Sequence, residues 1–272
     1  MANVKGTQQV AVRPCRGMLG RPILAPFLRR KTMVQDADNV NDAGELTEHP
    51  SLRVLIPYLR EYLRKGLETH RSGGVKFRAT YKEQYSADVF DRISELDISL
   101  TGLRLTSRFM HELADQLRPD MNVYRYHYEN FMLRAIGFDD RAHRLVGSAL
   151  MMDRKKIETV NGKNHVRSQV LATRLDVNSS LDNVAQAVKR YRKPRNELIH
   201  NAAFSSREFG LLHGIRRLRM DTDGIDVDSI AREYSSAGAD EVDLTVSQLQ
   251  GALVNLLDVL APSFSSVAAL ND

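Results

Sequence analysis

Apolar residues recur every three or four positions through most of this chain, and that spacing restricts it to helices sharing a core. From Ser86 the set Val89, Ile93, Leu96, Leu100 and Leu103 steps by three and four, and Met110, Leu113 and Leu117 carry a second helix or its continuation. A helix turns once in 3.6 residues, so such a set lies on one face and must be covered. The same period runs over about 52–69 (Leu52, Leu55, Ile56, Leu59, Leu63, Leu67), broken at Pro57, and over about 122–136 and 140–155, separated by Gly137-Phe138-Asp139. It returns after an expected cap at Ser179-Ser180, with Leu181, Val184, Ala185 and Val188, and again over 244–260, where Pro262 is expected to stop it. Residues 74–82 alternate (Val75, Phe77, Ala79, Tyr81) and suit a short strand or an extended segment, whereas 155–178 reads as a long loop holding the Asn161-Gly162 turn.

The expected fold is all-α, a helical bundle with extra N-terminal helices and a mobile N-terminal leader. The expected divisions are a flexible leader over 1–50, a helical extension over 51–84, the bundle over 85–262 and a tail over 263–272. The leader is Arg-rich and acid-free to Lys31, a composition shared with transit peptides, but Pro14, Pro22 and Pro26 interrupt any amphipathic helix there. No apolar stretch follows that would serve as a secretory signal, and no apolar run approaches bilayer length, so no membrane association is expected. A single cysteine, Cys15, rules out an intramolecular disulfide framework and a thiolate-rich zinc site, and fits a reducing, cytoplasmic setting.

The formal net charge of +5 matters through its placement. Positions 152–219 hold 15 Lys/Arg against 6 Asp/Glu, net +9, whereas positions 221–243 hold 8 acids against Arg232 alone. A polyanion would meet the first region before any other.

Several chemistries lack their residues. His111-Glu112-Leu113-Ala114-Asp115 begins like a zinc-protease helix but has no second histidine, so it reads as a helix segment. There is no G-x-S-x-G, Walker loop or G-x-G-x-x-G. His143 and His165 suit solvated or capping roles, and neither a metal site nor a cofactor is expected.

The informative stretch is 189–204, KRYRKPRNELIHNAAF. Pro194 suits the first position of a new helix, which would put Arg195 and Asn196 in a first turn that attracts anions. His200 follows Asn196 by four residues, on the same face, and Arg195 by five, a rotation of about 140° that a long arginine can cover. With 29 Arg and 8 His in the chain, an Arg five positions before some His is expected by chance, but an Asn directly after that Arg makes the combination rare. Arginine, amide and imidazole beside a phosphate are the parts RNA cleavage needs. An imidazole can exchange protons with the ribose 2′-OH and the 5′-oxygen, and a guanidinium stabilises the phosphorane.

The string Arg195-Asn196-Glu197-Leu198-Ile199-His200 resembles the R-polar-x3-H signature of HEPN (higher eukaryotes and prokaryotes nucleotide-binding) proteins. Residues 124–150, YRYHYENFMLRAIGFDDRAHRLVGSAL, with the Asp140-Arg141 pair, look like the helix pair of one HEPN branch, and an aromatic, Phe204, follows the motif. The resemblance covers roughly 85–262. It implies a metal-independent endoribonuclease of toxin–antitoxin or defence type, a homodimer whose two motifs face each other, with RNA as substrate and an inhibitory partner protein. Carried over, Arg195 contacts the scissile phosphate, Asn196 fills the polar position and His200 is the general acid/base. Arg190, Arg192 and Lys193 would add RNA-backbone contacts. The alternative from another class is a catalytically silent HEPN-like scaffold that binds RNA, a nucleotide or a protein. Tyr124, Tyr126, Tyr128 and Tyr191 suit base stacking or, at helical spacing, the core.

Overall fold

The computed structural model describes residues 45–200 and 203–270. Among the described residues the chain is helical with no strand, an all-α bundle. The helices are α1 (Ile56–Arg71), α2 (Tyr81–Ala114), α3 (Met121–Ala149), α4 (Arg154–Ile157), α5 (Gly162–Thr173), α6 (Leu175–Val188), α7 (Arg192–His200), α8 (Arg207–Leu218) and α9 (Val227–Ala268). Local chemistry sets several starts. Thr80 caps α2 in a reciprocal box with Glu83, and the Asp120, Ser206 and Asp226 side chains cap α3, α8 and α9 by accepting from backbone N–H groups.

The bundle proper is α2, α3, α6 and α9, with α2 packed on α3 and α9, and α6 on α9 and α3. Ile93, Leu96 and Leu100 of α2, Phe131 and Phe138 of α3, Leu181 and Val184 of α6, and Leu249, Leu256 and Leu260 of α9 are fully buried together. Each such side chain contributes roughly 1.5–3 kcal/mol by leaving water. Helix α9 contains an 18-residue window of mean hydropathy 1.4, long and apolar enough by length and composition to cross a membrane. Its leucine stripe is the one that faces α2 and α6 in the core.

Helix continuity exceeds the expectation from sequence. The Gly137-Phe138-Asp139 break does not occur, because Phe138 and Asp139 both belong to the buried face of one helix, α3. A single glycine costs only about 1 kcal/mol in a helix, less than that packing supplies. Pro262 lies inside α9 rather than ending it, with Phe264 and Val267 buried beyond it. Pro57 opens α1 instead of breaking it, since a first-turn N–H has no helical partner to lose. The 155–178 loop contains α4 and α5, and Ser179 and Ser180 sit inside α6, where Ser179 Oγ donates to the Leu175 carbonyl. Residues 76–80 form neither helix nor strand, and Tyr81 already opens α2.

The N-terminal divisions also shift. The leader expected over 1–50 falls mostly outside the described residues, but Leu46 is core, and the Leu46 and Thr47 N–H groups donate to the Asp97 carboxylate at 2.8 and 3.0 Å. Leu52 and Leu55 are buried in a 3-10 turn and bend before α1, while α1 itself buries no residue and exposes Leu63 and Leu67. It is held on α2 by Lys65, which donates to Glu83 at 2.8 Å, and by the edge contact of Tyr62 with Phe77.

Candidate active site

The motif lies on α7, which continues α6 without a free N-terminus. Lys189–Tyr191 form a 3-10 turn in which Lys189 N–H reaches back to Gln186 and Arg192 N–H to Lys189. Pro194 is therefore the third residue of α7, not the first, and Arg195 and Asn196 stand in its second turn. The helix therefore starts two residues earlier than expected, and its first N–H, that of Arg192, is already bonded to the Lys189 carbonyl.

Helix α7 buries no residue. Its half-buried side, Pro194, Arg195 and Leu198, faces the bundle, and its outer side presents Asn196 and His200 to solvent. Arg195 Nη1 donates to Asn196 Oδ1 at 3.0 Å, and Arg195 Nε is buried without a partner. Arg195 and Asn196 are thus brought together, while His200 stands exposed one turn on. What this arrangement offers chemically is a guanidinium with unused donors beside an amide and an accessible imidazole.

The other three cations of the run have different surroundings. Arg190 donates to Thr245 at 2.8 Å, lies 3.6 Å from Glu241 and stacks over Tyr191; Arg192 donates to Asp139. Both are engaged within the protein, whereas Lys193 has only a loose contact with Glu197 at 3.9 Å and is 88 % exposed. Of the four tyrosines suited to base stacking, Tyr124, Tyr128 and Tyr191 are core and Tyr126 is open.

Sequence reasoning missed the polar centre beneath α7. Asp139 is 3 % exposed and accepts from Lys163 of α5 and Arg192 of α7. His143, expected to be solvated or capping, is 1 % exposed: its Nδ1 donates to the Asp139 carbonyl at 2.6 Å, and its Nε2 accepts from Arg167 Nε at 3.2 Å. A guanidinium can only donate, which assigns the ring hydrogen to Nδ1. Burial opposes ionisation of Asp139, but the adjacent His143 ring and the hydrogen bond and charge of Lys163 outweigh it and hold its pKa down at about 2. The signal was available: an acid on the buried stripe of α3, four residues before a histidine.

Two further carboxylates meet the same segment. Glu241 of α9 accepts from Tyr191 at 2.8 Å and Tyr128 at 3.1 Å, and burial with that charge pushes the Tyr128 phenol well above its usual range. Glu129 accepts from the Phe204 N–H at 2.7 Å, and the Phe204 ring packs 4.7 Å from Tyr128. Elsewhere His111, at the end of α2, pairs with Asp243 at 2.7 Å and is a helix-to-helix contact. A cleft of about 260 Å³ between the start of α2 and the end of α3, lined by Asp88, Asp91, Arg92, Glu95 and Arg154, is separate from α7. Among the described residues no three His, Cys, Asp or Glu gather as a metal-binding group.

Residues 75–260 match the model of the Cthe2314-like HEPN family, starting ten residues before the bundle boundary expected at 85. No curated protein and no solved structure matches the chain. A match over more than half the chain, on an all-α bundle with an exposed Arg-Asn-x3-His helix, settles the family: the chain belongs to the HEPN family.

Proposed function

We propose that this HEPN protein is a metal-independent endoribonuclease. Membership of the family ties it to nucleotide- or RNA-related function, and the finer reading rests on α7. The observation that carries it is a surface helix with no fully buried residue, with Arg195 bonded to Asn196 and His200 open to solvent. In the reaction a ribose 2′-OH attacks the adjacent phosphorus, His200 takes or returns the proton, and Arg195 stabilises the phosphorane charge. The P–O5′ bond breaks, leaving a 2′,3′-cyclic phosphate and a 5′-hydroxyl. Two copies facing one another would supply the composite cleft of the family, with the exposed Lys193 as a backbone-binding cation, in a toxin–antitoxin or defence role under an inhibitory partner.

The test is cleavage of a mixed RNA pool containing tRNA, in EDTA, by wild type, Arg195→Ala and His200→Ala. EDTA-indifferent cleavage lost in both folded variants supports the nuclease. One observation favours the silent scaffold instead: Arg190 and Arg192, expected on RNA, are engaged with Thr245, Glu241 and Asp139. That reading predicts salt-sensitive RNA binding that survives His200→Ala, without cleavage.

A further inference from the structure

Helix α7 carries the motif yet contributes no fully buried side chain; its half-buried Leu198 packs against the core, and little else of the helix does. Two polar contacts at its ends add to that single apolar one. At the start, Arg192 donates to the buried Asp139 carboxylate. Past the end, the Phe204 N–H donates to Glu129 Oε1 at 2.7 Å. Both acceptors belong to α3, ten residues apart, which is about 15 Å along a helix. The motif helix has nine residues, about 13 Å of rise, so the two carboxylates bracket it end to end.

The two anchors differ in kind. Asp139 is ionised and shielded from water, and it also accepts from Lys163, so it stays formed when Arg192 is released. Glu129 accepts a neutral backbone N–H, a bond that a glutamine oxygen can also accept. Arg192 is 46 % exposed on its side chain, so replacing it removes an anchor without opening the core.

We propose that Asp139 and Glu129 are positioning residues that strap the motif helix to α3 and thereby set where Arg195 and His200 stand. The proposal rests on the nuclease reading for its catalytic half. Neither carboxylate touches substrate; each acts through the backbone or side chain it holds. A misplacement of about 1 Å in a catalytic group can cost on the order of 100-fold in rate, which is how remote anchors reach the chemistry.

The experiment uses the full chain in five forms: wild type, Arg192→Gln, Arg192→Lys, Glu129→Ala and Glu129→Gln. Hydrogen exchange of the 192–200 amides is read against those of α2 and α9, and cleavage of a tRNA pool is read as kcat and KM. Arg192→Gln and Glu129→Ala should speed exchange in α7 about tenfold or more with the α2 and α9 amides unchanged. The same variants should lower kcat about tenfold with KM within about twofold, and Arg192→Lys and Glu129→Gln should return both readouts toward wild type. A loss in KM alone would assign Arg192 to RNA contact and overturn the strap. Unchanged α7 exchange in both cutting variants would also overturn it, whatever the activity. A wild type that cleaves nothing defeats the nuclease reading, and the positioning role falls with it, an outcome separate from variants as active as an active wild type.

Discussion

Asp139 and Arg192 form a charge pair across 53 residues of sequence, with the acid 3 % exposed on α3 and the base opening the motif helix. The acid is shared with Lys163, and His143 beside it is shared in turn with Arg167, which pairs with Asp182 of α6 at 2.7 Å. One anion thus ties α3, α5 and α7 together, and α6 joins through the arginine.

This centre makes stability acid-sensitive. A carboxylate whose folded pKa is depressed contributes stability above its unfolded pKa, near 3.8, and loses it as pH falls through the folded value of about 2. The shift corresponds to about 2 kcal/mol. Urea unfolding of wild type and Asp139→Asn should differ by at least that at pH 7, and the gap should close between pH 4 and 2. A gap unchanged at pH 2 would mean that the charge is not its source.

Replacing the motif residues should act on chemistry and not on folding. His200→Ala removes an exposed side chain, so the unfolding free energy should move by no more than about 0.5 kcal/mol, and Arg195→Ala removes a half-buried one that fills no core position, at a cost of about 1 kcal/mol. RNA cleavage should fall about 100-fold or more, as expected for losing a proton-transfer or charge-stabilising group. Comparable loss of melting temperature and activity in both variants would assign them a structural role.

Gly162 opens α5 with its Cα against the Ile157 backbone, and a Cβ there would overlap the Ile157 carbonyl. Backbone cannot swing aside as a side chain does. Gly162→Ala should therefore cost about 1–3 kcal/mol in chemical denaturation. A neutral result would show that the α4–α5 turn relaxes freely.

Phe131 is fully buried, with its ring edge-on to Tyr191 at 4.8 Å, directly beneath the turn that leads into α7. Phe131→Ala should cost about 3–5 kcal/mol. It should also raise amide exchange in 189–200 more than in α9, because the cavity opens under that turn. Uniform exchange across the molecule would count against this local coupling.

How much was legible in the sequence follows from what each signal depends on. The stripes Val89–Leu103, Leu181–Val188 and Val246–Leu260 predicted helices with buried faces, and they are the walls of the bundle. Gly137 and Pro262 misled because a local breaker costs only a few kcal/mol, and Phe138, Phe264 and Val267 repay the continuation by burial. At the site, the spacing of Arg195, Asn196 and His200 was readable on a helix, but their place within it was not. Pro194 marks the first turn of a helix, and it does not reveal that a 3-10 turn continues α6 into that helix.

By itself the sequence determined which faces turn inward and which residue types stand one turn apart on α7, since both depend on the 3.6-residue period alone. The tertiary structure alone decided that Arg190 and Arg192 are bound and Lys193 exposed, that His143 is buried, and that Asp139 and Glu129 bracket the motif. The contacts of Arg192, Arg190 and Glu129 join residues 53 to 75 positions apart, and a pairing over such a separation is chosen by how whole helices pack.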